Sequence, residues 1–160
     1  MQARDSFTES QIHFDEPVKS LLCKKGRAVW FISPEATVYE AINRMSEIHI
    51  GALLVLSAEQ LVGIISERDY ARKVILKGRL SRETRVHEIM TRSVRYVNPE
   101  TSIDECMRLM TSGRVRHLPV LEGKSVIGIV SMGDLLRWII GSHEQTIHHL
   151  ENYINGTYPA

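Results

Sequence analysis

No apolar run in the 160-residue chain approaches the roughly 18 residues of a membrane span. Net charge is nearly absent: Lys and Arg number 20, Asp and Glu 19, for a formal +1. That balance gives no general drive toward nucleic acid or an anionic membrane, although a local basic patch is still allowed. Aromatic residues are only 6%, too few for the stacking surface of a single-strand binder. The two cysteines, Cys23 and Cys106, form neither a Cys-x-x-Cys pair nor a Cys/His metal spacing. Two reduced thiols are therefore expected, not a disulfide or a redox pair. The opening stretch "MQARDSFTESQ" carries acids early and lacks an apolar signal core, so a cytoplasmic location is expected over secretion. What is present is ordinary for a globular chain: 43% hydrophobic and 24% charged residues. The length suffices for one domain, or for two small units sharing a core.

The chain repeats itself. Gly63 and Gly128 stand 65 positions apart, as do Ser66 and Ser131, Asp69 and Asp134, and Arg72 and Arg137. The same offset pairs Pro34-Glu35 with Pro99-Glu100, Leu53 with Leu118, and Val55-Leu56 with Val120-Leu121. The lead-ins "VKSLL" at Val18 and "VHEIM" at Val86 also correspond, with three extra residues in the first copy, placed at "CKKGR". Each copy predicts a short strand (Val29–Ile32; Val94–Val97) ended by Ser33-Pro34 or Asn98-Pro99. A helix follows near Thr37 or Ser102, with Val38, Ile42, Met45 and Ile48, or Ile103, Met107 and Met110, on one stripe. Two strands joined by "SAEQ" or "EGKS" then predict an antiparallel hairpin. A last helix starts at Ser66 or Ser131.

The fold class is thus α/β, with two tandem β-α-β-β-α units. One unit alone is too small to bury its sheet well; two packed sheet to sheet share a core. The predicted organisation is an N-terminal tail (1–17), a first unit (18–80), a second unit (81–141), and a C-terminal helix and tail (142–160). The basic stretch "KGRLSRETR" (77–85) reads as the linker. His143, His148 and His149 near the C-terminus read as solvated, and no metal is assigned.

Ser-x-x-Asp where an apolar strand becomes a helix has two readings. One is a capping box: the Ser accepts from the third helical amide and the Asp reaches back. The other is a ligand site. A helix N-terminus and a hydroxyl suit a phosphate, and a carboxylate suits the two hydroxyls of a ribose. Ser for phosphate and Asp for ribose point to a nucleotide. The glycine in "GII" and "GIV" then allows close approach of a ligand or of another backbone.

With "GALLVL…LVGIISERD" and "RHLPVL…VIGIVSMGD", the chain resembles the cystathionine-β-synthase (CBS) domain family over residues 18–140, and the small stand-alone pairs in particular. The resemblance implies a pseudo-twofold pair with two clefts for adenosine-containing ligands: AMP, ADP, ATP, NAD(H) or S-adenosylmethionine. It also implies a homodimer that regulates a partner protein not identifiable from the sequence. An enzyme is not expected, since His117 is the only acid/base residue near a cleft and suits phosphate contact better. Carried over residue by residue, Asp69 and Asp134 would bind ribose, and Ser66 and Ser131 would lie near phosphate. Arg116 and His117 would contact phosphate in the second cleft. Gly51 and Ala52, uncharged, would take their place in the first, with Arg68 or Arg72 recruited instead; the alternative for both arginines is a solvated helix face. Ile32 and Val97 would read the adenine edge through backbone, or simply pack in the core. The fuller partner set makes Asp134 the expected ribose acid. A regulator specific for S-adenosylmethionine is the alternative, and nucleic-acid binding through the basic stretches a weaker one.

Overall fold

A computed structural model describes residues 14–154. The expected tail 1–17 and the end of 142–160 lie largely outside the described residues, as do the side chains of His148 and His149.

Helix α1 (Val18–Lys25) is followed by strand β1 (Phe31–Ile32), helix α2 (Val38–Ile48), and strands β2 (Ala52–Ser57) and β3 (Gln60–Ser66). Helix α3 (Glu67–Tyr70) runs into a π-helical turn, Ala71–Ile75. The second copy supplies α4 (Val86–Ile89), α5 (Ile103–Gly113), β4 (His117–Glu122), β5 (Ser125–Ser131) and α6 (Met132–Ile154). The long α6 passes through Gly141 without a break.

Local chemistry sets the helix starts. Thr37 caps α2: its hydroxyl accepts from the Glu40 amide at 3.2 Å, and Glu40 accepts from the Thr37 amide at 2.6 Å. Ser102 accepts from the Glu105 amide in the same way at 3.1 Å. Val38, Ala41 and Met45 bury the α2 stripe, and Ile103, Cys106 and Met110 that of α5. Burial pushes the Cys106 thiol up to about 11, with Glu105 adding to the effect, so this cysteine stays a neutral core residue.

The two hairpins match, with Leu53 opposite Ile65 and Leu118 opposite Val130. The predicted first strands differ. β1 pairs parallel with β2, but residues 94–97 keep only one bridge, Val97 to Val120. Proline explains this. The Leu54 amide donates to the Trp30 carbonyl at 3.1 Å, while the equivalent position in β4 is Pro119, which has no N–H.

The lead-in helices cross over. Val18, Leu21 and Leu22 of α1 complete the second copy's core with Val97, Ile103, Met110, Leu118 and Leu135. Val86 and Ile89 of α4, with Met90, complete the first copy's core with Val38, Met45, Leu53 and Ile65. Backbone bonds mirror this: Val18 N donates to Thr101 O at 2.8 Å, and Val86 N to Ala36 O at 2.9 Å. The same exchange in both copies accounts for the repeated strand glycines. A Cβ on Gly63 would lie 2.6 Å from Met90 Sδ, and one on Gly128 would lie 2.8 Å from Leu22 Cδ2. It is the exchanged helix, not a ligand, that comes close there. The expected linker is also built in: Thr84 is buried, its hydroxyl donates to Leu80 O at 2.8 Å, and its carbonyl accepts from Val38 N at 2.8 Å.

Candidate functional site

Both Ser-x-x-Asp elements form the capping box. The Asp69 amide donates to Ser66 Oγ at 3.2 Å, and the Ser66 amide donates to Asp69 Oδ2 at 3.0 Å. The Asp134 amide donates to Ser131 Oγ at 3.1 Å, and the Ser131 amide to Asp134 Oδ2 at 2.8 Å. Each carboxylate has a cation as well, and here the copies diverge. Lys73 Nζ lies 2.8 Å from Asp69 Oδ1. Asp134 takes Lys25 Nζ at 2.6 Å on Oδ2 and Arg137 at 2.7 Å on Oδ1. Lys25 sits in the extra residues of the first copy, which lengthen α1 to eight residues against four in α4. Burial works to raise the Asp134 carboxyl, but the Lys25 hydrogen bond and those from Ser131 outweigh it and hold it below the usual carboxylate range.

The expected grouping of residues is partly redrawn. A cavity of about 350 Å³ is lined by Gly51, Ser66, Arg68 and Asp69 of the first copy, and also by Arg116 and His117 of the second. The basic pair, expected beside Asp134, therefore also lines the Asp69 cleft, with His117 still near enough to Asp134 to feel its charge. The starts of β2 and β4 abut: a Cβ on Gly51 would lie 3.8 Å from His117 Cε1. The second hairpin thus offers its first residues to the first copy's cleft, where Gly51 of the first hairpin also lies. Asp134 instead lines a separate cavity of about 470 Å³ with Glu16, Lys24, Lys25, Arg137 and Trp138. Trp138 Nε1 donates to Glu16 Oε2 at 2.7 Å, and Lys24 Nζ lies 5.7 Å from the indole centroid.

Arg72 is exposed and lines neither cavity. Ala52, Ile32 and Val97 are buried, the last two within the two cores. Sequence reasoning missed Arg95 and Arg114, which join the Asp69 cavity with Thr91 and Ser93. The repeat itself holds the signal: these arginines stand where the first copy has Trp30 and His49. Among the described residues no group of His, Cys, Asp and Glu is placed to hold a metal ion, and no helix is long and apolar enough to cross a membrane.

His117 carries a pH dependence. Burial lowers its imidazole below 6.5; Lys25 and Arg116 push the same way, and Asp134 opposes them. The unfolded chain then binds more protons than the folded one just below that value. His117 thus contributes stability that is whole above 6.5 and lost as pH falls through the depressed value. The urea midpoint is expected to drop between about pH 7.5 and about pH 5.5, and to drop less in His117→Gln. Equal drops in both proteins would contradict this.

Known proteins share this fold. A family model described as the CBS domain matches residues 19–76 and 86–141. The mitochondrial CBS domain-containing protein CBSX3 of Arabidopsis thaliana is 39% identical over 150 residues, covering 88% of this chain and 73% of that protein. The structure of a protein with CBS domains from Burkholderia ambifaria is 50% identical, with a TM-score of 0.76, and the match covers 78% of this chain and 94% of that one. A CBS-domain protein from Agrobacterium tumefaciens is 36% identical, with a TM-score of 0.73 and coverage of 76% and 97%.

Proposed function

Since the chain belongs to the CBS-domain family, we propose that it is a non-catalytic sensor of an adenine nucleotide, AMP, ATP or NAD(H), with its principal site in the Asp69 cavity. CBS pairs are in general regulatory modules that take adenosine-containing ligands. One observation carries the assignment of the site: Asp69, Ser66, Arg68, Arg116 and His117 line one cavity. The carboxylate suits a ribose diol and the cations suit phosphate. In this reading the ribose hydroxyls compete with Lys73 for Asp69. The arginines disfavour S-adenosylmethionine, whose sulfonium is a cation. They line a cavity and not an open stripe, which disfavours nucleic acid.

Heat denaturation with AMP, ADP, ATP, NAD, NADH and S-adenosylmethionine tests the reading. A true ligand at a hundred times its dissociation constant adds about 2.7 kcal/mol, or several degrees. No shift with any of the nucleotides would overturn it.

The regulated protein would be recognised by a homodimer acting in the cytoplasm. Leu136 and Ile140 on α6 are 46% and 57% exposed, and Ile75 and Leu76 are exposed at the end of the equivalent helix. Such apolar faces favour cover by a second copy. A monomer at micromolar concentration in solution scattering would reject the dimer.

A further inference from the structure

Four arginines, Arg68, Arg95, Arg114 and Arg116, line the Asp69 cavity. None has a side-chain hydrogen bond or ion pair among the described residues. By contrast Lys19, Lys25, Lys73, Arg79, Arg108 and Arg137 each sit on a carboxylate. Four exposed arginines lining one concavity raise its positive potential, which favours an anion there. Two carboxylates also line the cavity, Glu67 and Asp69. Asp69 is already matched by Lys73 at 2.8 Å, so four guanidiniums face a single unmatched acid. That surplus exceeds the charge of a phosphate monoester, about −1.5 to −2 at neutral pH.

Arg95 lines the cavity beside the end of α5. Its guanidinium packs against Gly113 at the end of α5, where a Cβ would come 3.0 Å from Arg95 Cζ. Its backbone is released from the β4 edge because Pro119 lacks the N–H that holds Trp30 in the first copy. Arg114 follows in a left-handed conformation, φ 52°, that ends α5 at the cavity wall.

We infer that Arg95 and Arg114 form a polyphosphate subsite, so that this cavity selects ligands carrying two or more linked phosphates over monophosphates. The inference rests on the nucleotide reading and adds phosphate count to it. The chain of phosphates can belong to a nucleoside di- or triphosphate or to the bridge of a dinucleotide.

Titration calorimetry at fixed ionic strength with AMP, ADP, ATP, NAD and inorganic tripolyphosphate tests it. ATP or ADP, or NAD if the dinucleotide is the source, is expected to bind at least about tenfold more tightly than AMP. Arg95→Gln and Arg114→Gln should each remove most of that preference and leave AMP affinity within about threefold. Gly113→Ala, which crowds Arg95 and spares its charge, should act in the same direction. Equal affinity for AMP and ATP, or equal losses for both in the arginine variants, would overturn the subsite and leave the nucleotide reading standing. Binding of tripolyphosphate with none of the adenine ligands would do the opposite.

Discussion

Leu22→Ala is expected to cost about 2–5 kcal/mol, the range for emptying a buried leucine site, and to loosen the far half of the molecule. Leu22 lies in α1, at the head of the first copy, yet it is 1% exposed within the core of the second. Its methyls press on Gly128 of β5. The cavity would open beneath β4, β5 and α5, so hydrogen exchange should speed up first in those elements and leave α2, β2 and β3 protected at moderate denaturant. Met90→Ala should show the mirror image, through Gly63 and the first hairpin. Faster exchange in α2 and β2 on Leu22→Ala would mean that each copy folds on its own lead-in helix, contrary to the exchanged packing.

The second large effect concerns the acids. Asp69→Asn is expected to weaken ribonucleotide binding by roughly tenfold or more, since charge-assisted hydrogen bonds to a diol are worth about 1.5–3 kcal/mol. It should also erase any preference for ribose over 2′-deoxyribose. Loss of the cap adds a separate stability cost of about 0.5–2 kcal/mol. Asp134→Asn should do the reverse, lowering stability and leaving nucleotide affinity unchanged. Its carboxylate, with side-chain exposure of 8%, is committed to Lys25 and Arg137, and the basic pair lines the other cavity. Calorimetry on both variants with ATP and 2′-deoxy-ATP separates the roles. Intact 2′-hydroxyl discrimination in Asp69→Asn would reduce that motif to its capping box.

The repeat was legible from its 65-residue offset, and the main helices, hairpins and both capping boxes because period and cap chemistry are local. The exchange of α1 and α4 was not. "VKSLL" shows that Val18, Leu21 and Leu22 need burial, but an apolar stripe does not name its partner. The same limit hid a second placement of Arg116 and His117: read as serving the nearest motif in sequence, they also line the Asp69 cavity across the pair. The shortened strand at 94–97 follows from one residue, Pro119, whose missing N–H matters only once Leu54 is seen bonding to Trp30. Arg95 and Arg114 passed unnoticed because they break the repeat. Residues that differ between equivalent positions are where two similar clefts become unequal.

The nucleotide is proposed to occupy the cavity of Ser66, Asp69 and Arg116. Amide chemical shifts of the full chain during titration with ATP test it most directly. The largest changes are expected at Gly51, Ser66, Thr91, Ser93 and His117, all of which line that cavity. Changes centred on Leu21, Lys24, Lys25 and Gly141, which line the Asp134 cavity, with Gly51 and Ser66 unmoved, would contradict it.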